Sequence, residues 1–292
     1  MAQSHFLPAD VICRVKQDPG ARRAFWKQTY DEAAYSKSDF VFMNLGYADQ
    51  VVGPEDLETF DLDACYKNLY RHIVGDVDME EKRVLEIGCG RGGGARFIKE
   101  TYGADSVVAV DISEAAIKRC RRMHHVEGLS FQVGDAEDLP FGGGVFDRVI
   151  NVESSHCYGS REKFLSEVHR VLAPGGMFMF ADIFIPRLDS VDMEHMRELL
   201  ERADFQVLSE RDITLQVLNA RDLASQHPVL RQTLEKVPEE NRPALREAFF
   251  LPGAQSYLGL KDRTTRYGSW LLQRRLTDGL SHLAAARTPP TI

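Results

Sequence analysis

The sequence predicts an α/β fold: a doubly wound, mostly parallel seven-stranded sheet with helices on both faces. Three observations predict it. Short apolar runs alternate with amphipathic stretches from residue 83 onward. The turns between them are short and rich in Gly and Asp, as crossover connections require. A glycine cluster, EIGCGRGGG, stands at the first strand-to-helix junction.

The elements follow in order. Residues 1–80 are aromatic-rich and read as a helical lid; within them DLDACYKNLYRHIVGDV repeats Leu62, Cys65, Tyr66, Leu69, Tyr70 and Ile73 at steps of three and four. RVLEIGCG is a first strand and GARFIKETYG a helix closing on Gly103. SVVAVDIS, LSFQVGDA and FDRVINVE are further strands, with EAAIKRCRRMHH helical between the first two. REKFLSEVHRVL is a helix ended by APGG, and MFMFADIF is the fifth strand. FQVLSERDI and RYGSWLLQRRL supply the last two, with helices around and between them. The expected organisation is a lid over 1–80, a binding core over 81–186, cap helices and sheet completion over 187–276, and a flexible tail over 277–292.

Composition narrows the partners. The 292 residues are 43% hydrophobic, enough for one large core with an appendage. Asp and Glu exceed Lys and Arg by 44 to 36, a net charge of −8. An acidic surface disfavours nucleic acid and anionic membrane, which reward clustered cations. The basic run KRCRRMHH reads as a solvated helix end. Five scattered cysteines without C-x-x-C argue against a disulfide framework and a zinc ribbon. No signal peptide and no membrane span is expected, so the expected compartment is the cytoplasm. The oligomeric state is left open.

EIGCGRGGG contains G-x-G-x-x-G at Gly88, Gly90 and Gly93, and Asp111 ends the next strand. Taken alone this suits a dinucleotide as well as another adenosyl ligand. Three further features separate them: Glu86 two residues before the first glycine, GDAEDLPF after the third strand, and VLAPGG after the fourth. Together these resemble the Rossmann-like class I S-adenosylmethionine-dependent methyltransferases over roughly residues 80–185. The resemblance implies S-adenosyl-L-methionine as cofactor, bound by Glu86, Gly88, Cys89, Gly90 and Gly92 on the loop. Asp111 would accept from the ribose hydroxyls, Ile112 would pack on the adenine, and Asp135 and Ala136 would meet its polar edge. Asn151 would offer its backbone carbonyl. Arg91 is expected to point to solvent.

NVESSHCYGS, after the fourth strand, crowds a histidine, a cysteine and two serines together. A Ser–His or Cys–His nucleophile would need an elbow such as G-x-S-x-G, which is missing. A metal site would need more ligands; a satisfied structural histidine is the plain alternative. A hydroxyl acceptor gains from a base, and histidine suits that work. His156 beyond the fourth strand and Asp182 at the end of the fifth lie on one rim of a doubly wound sheet. The pairing resembles natural-product O-methyltransferases that act on sugar hydroxyls. VINVESSHCY, FVFMNLGY, HHVEGLSFQVGDAEDLPF and RYGSWLL also resemble the phthiotriolone-type lipid and polyketide methyltransferases of actinobacteria. Some of the sugar enzymes carry a second His where this chain has Cys157.

The resemblance implies O-methylation of a hydrophobic small molecule, with His156 as base and Asp182 as its partner. N- or C-methylation is the alternative within enzymes, and a non-catalytic cofactor-binding module the alternative outside them. The acceptor pocket is expected beneath Tyr30, Tyr35, Phe42, Asn44 and Tyr47 on the lid side and Phe249, Phe250 and Tyr257 on the cap side, with Glu153 nearby. No metal is expected.

Overall fold

The computed structural model describes residues 9–31, 40–50 and 61–275. Helices α1 (Ala9–Gln17) and α2 (Pro19–Asp31) precede α3 (Leu62–Val74). The face of α3 predicted from spacing is the buried one, extended by Val74. Asp61 caps its start by accepting from Asp63 N at 2.9 Å, and Gly75 ends it at φ 51°.

Strand β1 (Arg83–Ile87), helix α4 (Gly93–Thr101), β2 (Ser106–Asp111), α5 (Glu114–Met123) and β3 (Leu129–Val133) form the first half. The second half is β4 (Phe146–Val152), a single 3₁₀ turn at Ser155–Cys157, α6 (Arg161–Val171), β5 (Leu172–Phe184), α7 (Met193–Arg202) and β6 (Phe205–Asp212). Four cap helices, α8 (Thr214–Gln226), α9 (Pro228–Glu235), α10 (Arg242–Ala248) and α11 (Gln255–Lys261), then intervene before β7 (Arg266–Arg274).

The sheet order is β3-β2-β1-β4-β5-β7-β6, with only β7 antiparallel to its neighbours. One face packs on α3, α4, α5 and the cap through Leu69, Ile98, Ile117 and Val217. The other packs on α6 and α7 through Phe164, Val168, Met196 and Leu200. Chain direction across the sheet reverses between β1 and β4, so their carboxyl ends open a crevice there. Both the glycine loop and NVESSHCYGS leave those two ends.

Two boundaries depart from the sequence reading. LSFQVGDA ends as a strand at Val133, because Gly134–Asp138 turns back with Asp138 N donating to Asp135 O at 3.1 Å. APGG is not a helix end. Helix α6 stops at Val171 and β5 begins at once, bulging between the Phe146–Leu172 and Arg148–Met177 pairs, where Gly175 takes φ 74°. Tyr35 and the tail 277–292 lie outside the described residues, as does the side chain of Tyr30. Among the described residues no helix is long and apolar enough to cross a membrane.

Candidate active site

The loop after β1 is built for close approach. Gly88 sits at φ 72°, and a Cβ there would lie 1.9 Å from Ser154 Oγ. No other residue fits both the backbone and the space. The amides of Gly88 and Cys89 both donate to Val110 O, at 2.8 and 3.0 Å, which ties the loop to β2. Asp111 at the end of β2 completes the tie: its carboxylate accepts from Gly90 N and Ser113 N, both at 2.9 Å. Burial raises its pKa against those amide bonds.

Gly88, Cys89, Gly90 and Asp111 line the main cavity. Three loop and strand residues predicted beside them do not. Glu86 is 2% exposed and stands behind the loop, where its Oε1 accepts from Tyr70 OH at 2.8 Å. Burial outweighs that bond and holds its carboxyl at about 7. Gly92, the left-handed residue before α4, faces inward: a Cβ there would meet the Phe131 ring at 2.6 Å. Asn151 is fully buried, and its Nδ2 donates to Ile87 O at 2.8 Å and Tyr158 OH at 2.9 Å, clamping β1 to the loop after β4. Arg91 corrects a further expectation. It is 6% exposed and donates to Phe40 O at 2.9 Å, not to solvent. His124, at the end of the basic run, is buried too, with Nε2 at 2.8 Å from Arg91 O.

A smaller cavity adjoins Gly88 and Asp111. Ile112, Asp135 and Ala136 line it. Helix α2 roofs it with Arg23, Trp26 and Lys27. Arg23 pairs with Asp135, whose other oxygen accepts from Glu137 N at 3.0 Å.

His156 and Asp182 meet. Nδ1 of the imidazole lies 2.7 Å from Asp182 Oδ1, while Asp182 Oδ2 accepts from Ser155 Oγ and from His156 N at 2.8 Å. Asp182 is fully buried at the end of β5. Burial alone would lower the histidine's pKa; neighbouring Cys157 and the Asp182 carboxylate outweigh it and hold the imidazole well above its usual value. The Asp182 carboxyl is drawn down by His156 in spite of its burial. Trp26 packs edge-on against the imidazole, ring centres 5.6 Å apart. Behind the pair runs a buried charged chain: Arg161 donates to Ser155 Oγ at 3.3 Å and pairs with Asp189 at 2.5 Å, and Asp189 also meets Arg22 of α2 at 3.4 Å.

The main cavity continues from His156 under the cap. Phe42, Asn44, Glu153, Phe249 and Phe250 line it. Glu153, at φ 49°, accepts on one oxygen from Leu45 N at 2.6 Å and Tyr267 OH at 2.8 Å, and burial raises its carboxyl to about 7. Tyr47 and Tyr257 lie elsewhere. Tyr47 stacks on His72 at 4.5 Å and donates to Asp49; Tyr257 donates to Asp222 at 2.7 Å.

The sequence reading passed over Arg23, Trp26 and Arg221. Residues 1–80 were visible as aromatic-rich, but nothing in them says where α2 docks. Arg221 did leave a signal: it interrupts the apolar stripe Val217, Ala220, Ala224 of α8.

Known proteins resemble this chain in sequence and in fold. Residues 85–180 match the model of a methyltransferase domain. The chain is 38% identical to a fatty-acid O-methyltransferase of Mycolicibacterium smegmatis, over 78% of this chain and 81% of that one. It is 36% identical to a phthiotriol/phenolphthiotriol dimycocerosates methyltransferase of Mycobacterium leprae, over 74% and 79%. A crystal structure of geranyl diphosphate C-methyltransferase from Streptomyces coelicolor, solved with S-adenosyl-L-homocysteine, superposes with a TM-score of 0.67 at 16% identity, covering 87% of this chain and 98% of that one. That last likeness speaks for the fold alone. Identity of the former extent, laid over a glycine loop and a β2 carboxylate that share one cavity, makes this chain a member of the class I S-adenosylmethionine-dependent methyltransferases.

Proposed function

We propose that the protein methylates a hydroxyl of a hydrophobic, lipid-type small molecule, with His156 as general base and Asp182 holding it. The observation that carries this reading is that His156, held from behind by buried Asp182, lines the cavity that also bears Gly88, Gly90 and Asp111. The acceptor class is supported by the names of the two bacterial relatives and by the aromatic lining under the cap.

The residues present fit the cofactor. Gly88 and Gly90, at φ 72° and 52°, bring bare backbone to the cavity. Each Asp111 oxygen accepts one amide bond and keeps acceptor capacity for a vicinal diol. Ile112, Ala136 and Asp135 give the adjoining cavity an apolar floor and a polar edge. S-adenosylmethionine supplies an activated methyl on a sulfonium. The protein then has to bind, orient and deprotonate. Trp26 and Phe42 give the cavity apolar walls, and Asp182 keeps the imidazole's Nδ1 engaged, so that Nε2 is the nitrogen that takes the hydroxyl proton.

His156→Ala is the test. Turnover of a hydroxylated lipid should fall about 10²- to 10⁴-fold, while calorimetric affinity for S-adenosylmethionine stays as in the wild type. Full turnover in that variant would remove the base role.

A further inference from the structure

Helix α8 buries an arginine where its neighbours along the helix are apolar. Arg221 is 1% exposed, on the stripe it shares with Val217, Ala220 and Ala224. Among the described residues its guanidinium makes no hydrogen bond and no ion pair; Nε and one terminal nitrogen are buried without a partner. Its one contact of note is the Tyr66 ring, whose centre lies 5.5 Å from Cζ. The other buried arginines are treated differently. Arg22 and Arg161 share Asp189, and Arg91 donates to Phe40 O. A guanidinium does not escape burial by losing its proton, and a buried cation without a counter-charge is costly.

Arg221 lines the same cavity as His156. The acid within its electrostatic reach, Glu153, does not neutralise it. That carboxyl already serves Leu45 N and Tyr267 OH, and burial raises it to about 7. A guanidinium is a fixed planar fork of donors, and one that lines an aromatic-lined cavity suits a carboxylate.

We propose that Arg221 holds the carboxylate of an acidic lipid acceptor, anchoring the chain under the cap while its hydroxyl reaches His156. This rests on the reading that the cavity takes the acceptor beside the cofactor. The methionyl carboxylate of S-adenosylmethionine has the same chemistry. Position favours the acceptor: Arg221 stands on the cap over Tyr66, whereas the cofactor loop lies at the β1 end of the cavity.

The experiment is calorimetric and needs no turnover. Dodecanoate and dodecanamide are titrated into full-length enzyme saturated with S-adenosylhomocysteine, for wild type, Arg221→Met and Arg221→Lys. The wild type should prefer the acid at least about tenfold. Arg221→Met should lose about 10- to 100-fold in dodecanoate affinity, with dodecanamide and S-adenosylmethionine affinities unchanged. Arg221→Lys, which keeps the charge and loses the fork, should fall between. Arg221→Met should also melt no lower than the wild type, because an apolar chain replaces an unpaired buried charge. Equal wild-type affinity for acid and amide overturns the proposal. So does a loss confined to S-adenosylmethionine, which would give Arg221 to the cofactor, or a lowered melting temperature with unchanged dodecanoate affinity, which would make it structural. If no hydroxylated lipid is methylated yet the acid preference and its loss persist, the methylation reading fails and with it the hydroxyl's place at His156, while the carboxylate contact of Arg221 stands.

Discussion

Asp182 grips His156 twice: Oδ1 lies 2.7 Å from the ring Nδ1, and Oδ2 accepts from the backbone N of the same residue at 2.8 Å. One carboxylate therefore fixes both where the histidine sits and how its ring is turned. Asp182→Asn keeps the shape and removes the charge. Turnover should fall about 10²-fold or more, cofactor affinity should hold, and an NMR titration of the His156 ring should move down towards about 6.5. An unmoved titration would mean that the carboxylate does not set the histidine's proton affinity.

The same pair fixes the sign of the pH dependence. Cys157 and Asp182 together hold the His156 pKa well above its usual value against its burial, so the proton-accepting form is gained as pH rises. The rate should climb as pH rises through and beyond neutral, and in Asp182→Asn the climb should begin at lower pH. Stability runs the other way. A raised histidine pKa contributes stability that is complete below about 6.5 and is lost as pH rises through the folded-state value. The lowered Asp182 pKa contributes stability present above the ordinary aspartate value and lost in acid. A pH–rate profile flat from acid to alkaline pH would point to an acceptor that needs no base.

Cofactor affinity should depend on Asp111 from within the sheet and on α2 from above. Asp111→Ala removes the acceptor for a diol and the tie to Gly90 N and Ser113 N. S-adenosylmethionine binding should weaken about 10- to 100-fold by calorimetry. Trp26→Ala should weaken cofactor binding and lower turnover together, because Trp26 lines both cavities and packs on His156. If cofactor affinity is untouched by Trp26→Ala, α2 is no part of the cofactor's cover.

The sheet was legible because each strand and crossover helix announces itself over a few adjacent residues, and the His156–Asp182 pairing was expected from two strand ends on one rim and from the resemblance to O-methyltransferases. What was not legible depended on distant surfaces. Trp26 reaches His156 only because α1 and α2 dock on the loop after β5, with Lys16 Nζ of α1 donating to Pro186 O at 2.7 Å and Arg22 of α2 meeting Asp189. Nothing within residues 9–31 encodes that edge. Tyr47 and Tyr257 look like pocket residues by type and turn away by register. Glu86 fits a cofactor-contact pattern by spacing, yet Tyr70 OH takes up its Oε1 behind the loop.

That placement of Glu86 has its own measurable consequence. Its folded-state carboxyl titrates at about 7, raised chiefly by burial. Between the ordinary glutamate value and 7 the folded state therefore holds a proton that the unfolded chain gives up, so this group's contribution to stability falls as pH rises through that window. Glu86→Gln cannot ionise, and its amide oxygen can still accept from Tyr70 OH. The variant should match the wild type near pH 4.5 and become progressively more stable than it up to pH 8, by as much as about 3 kcal/mol, in denaturant melts run across that range. Because Glu86 does not line either cavity, S-adenosylmethionine affinity should change less in this variant than in Asp111→Ala. A larger loss of cofactor affinity, with no gain in stability at pH 8, would mean that the carboxylate is ionised and committed to the ligand.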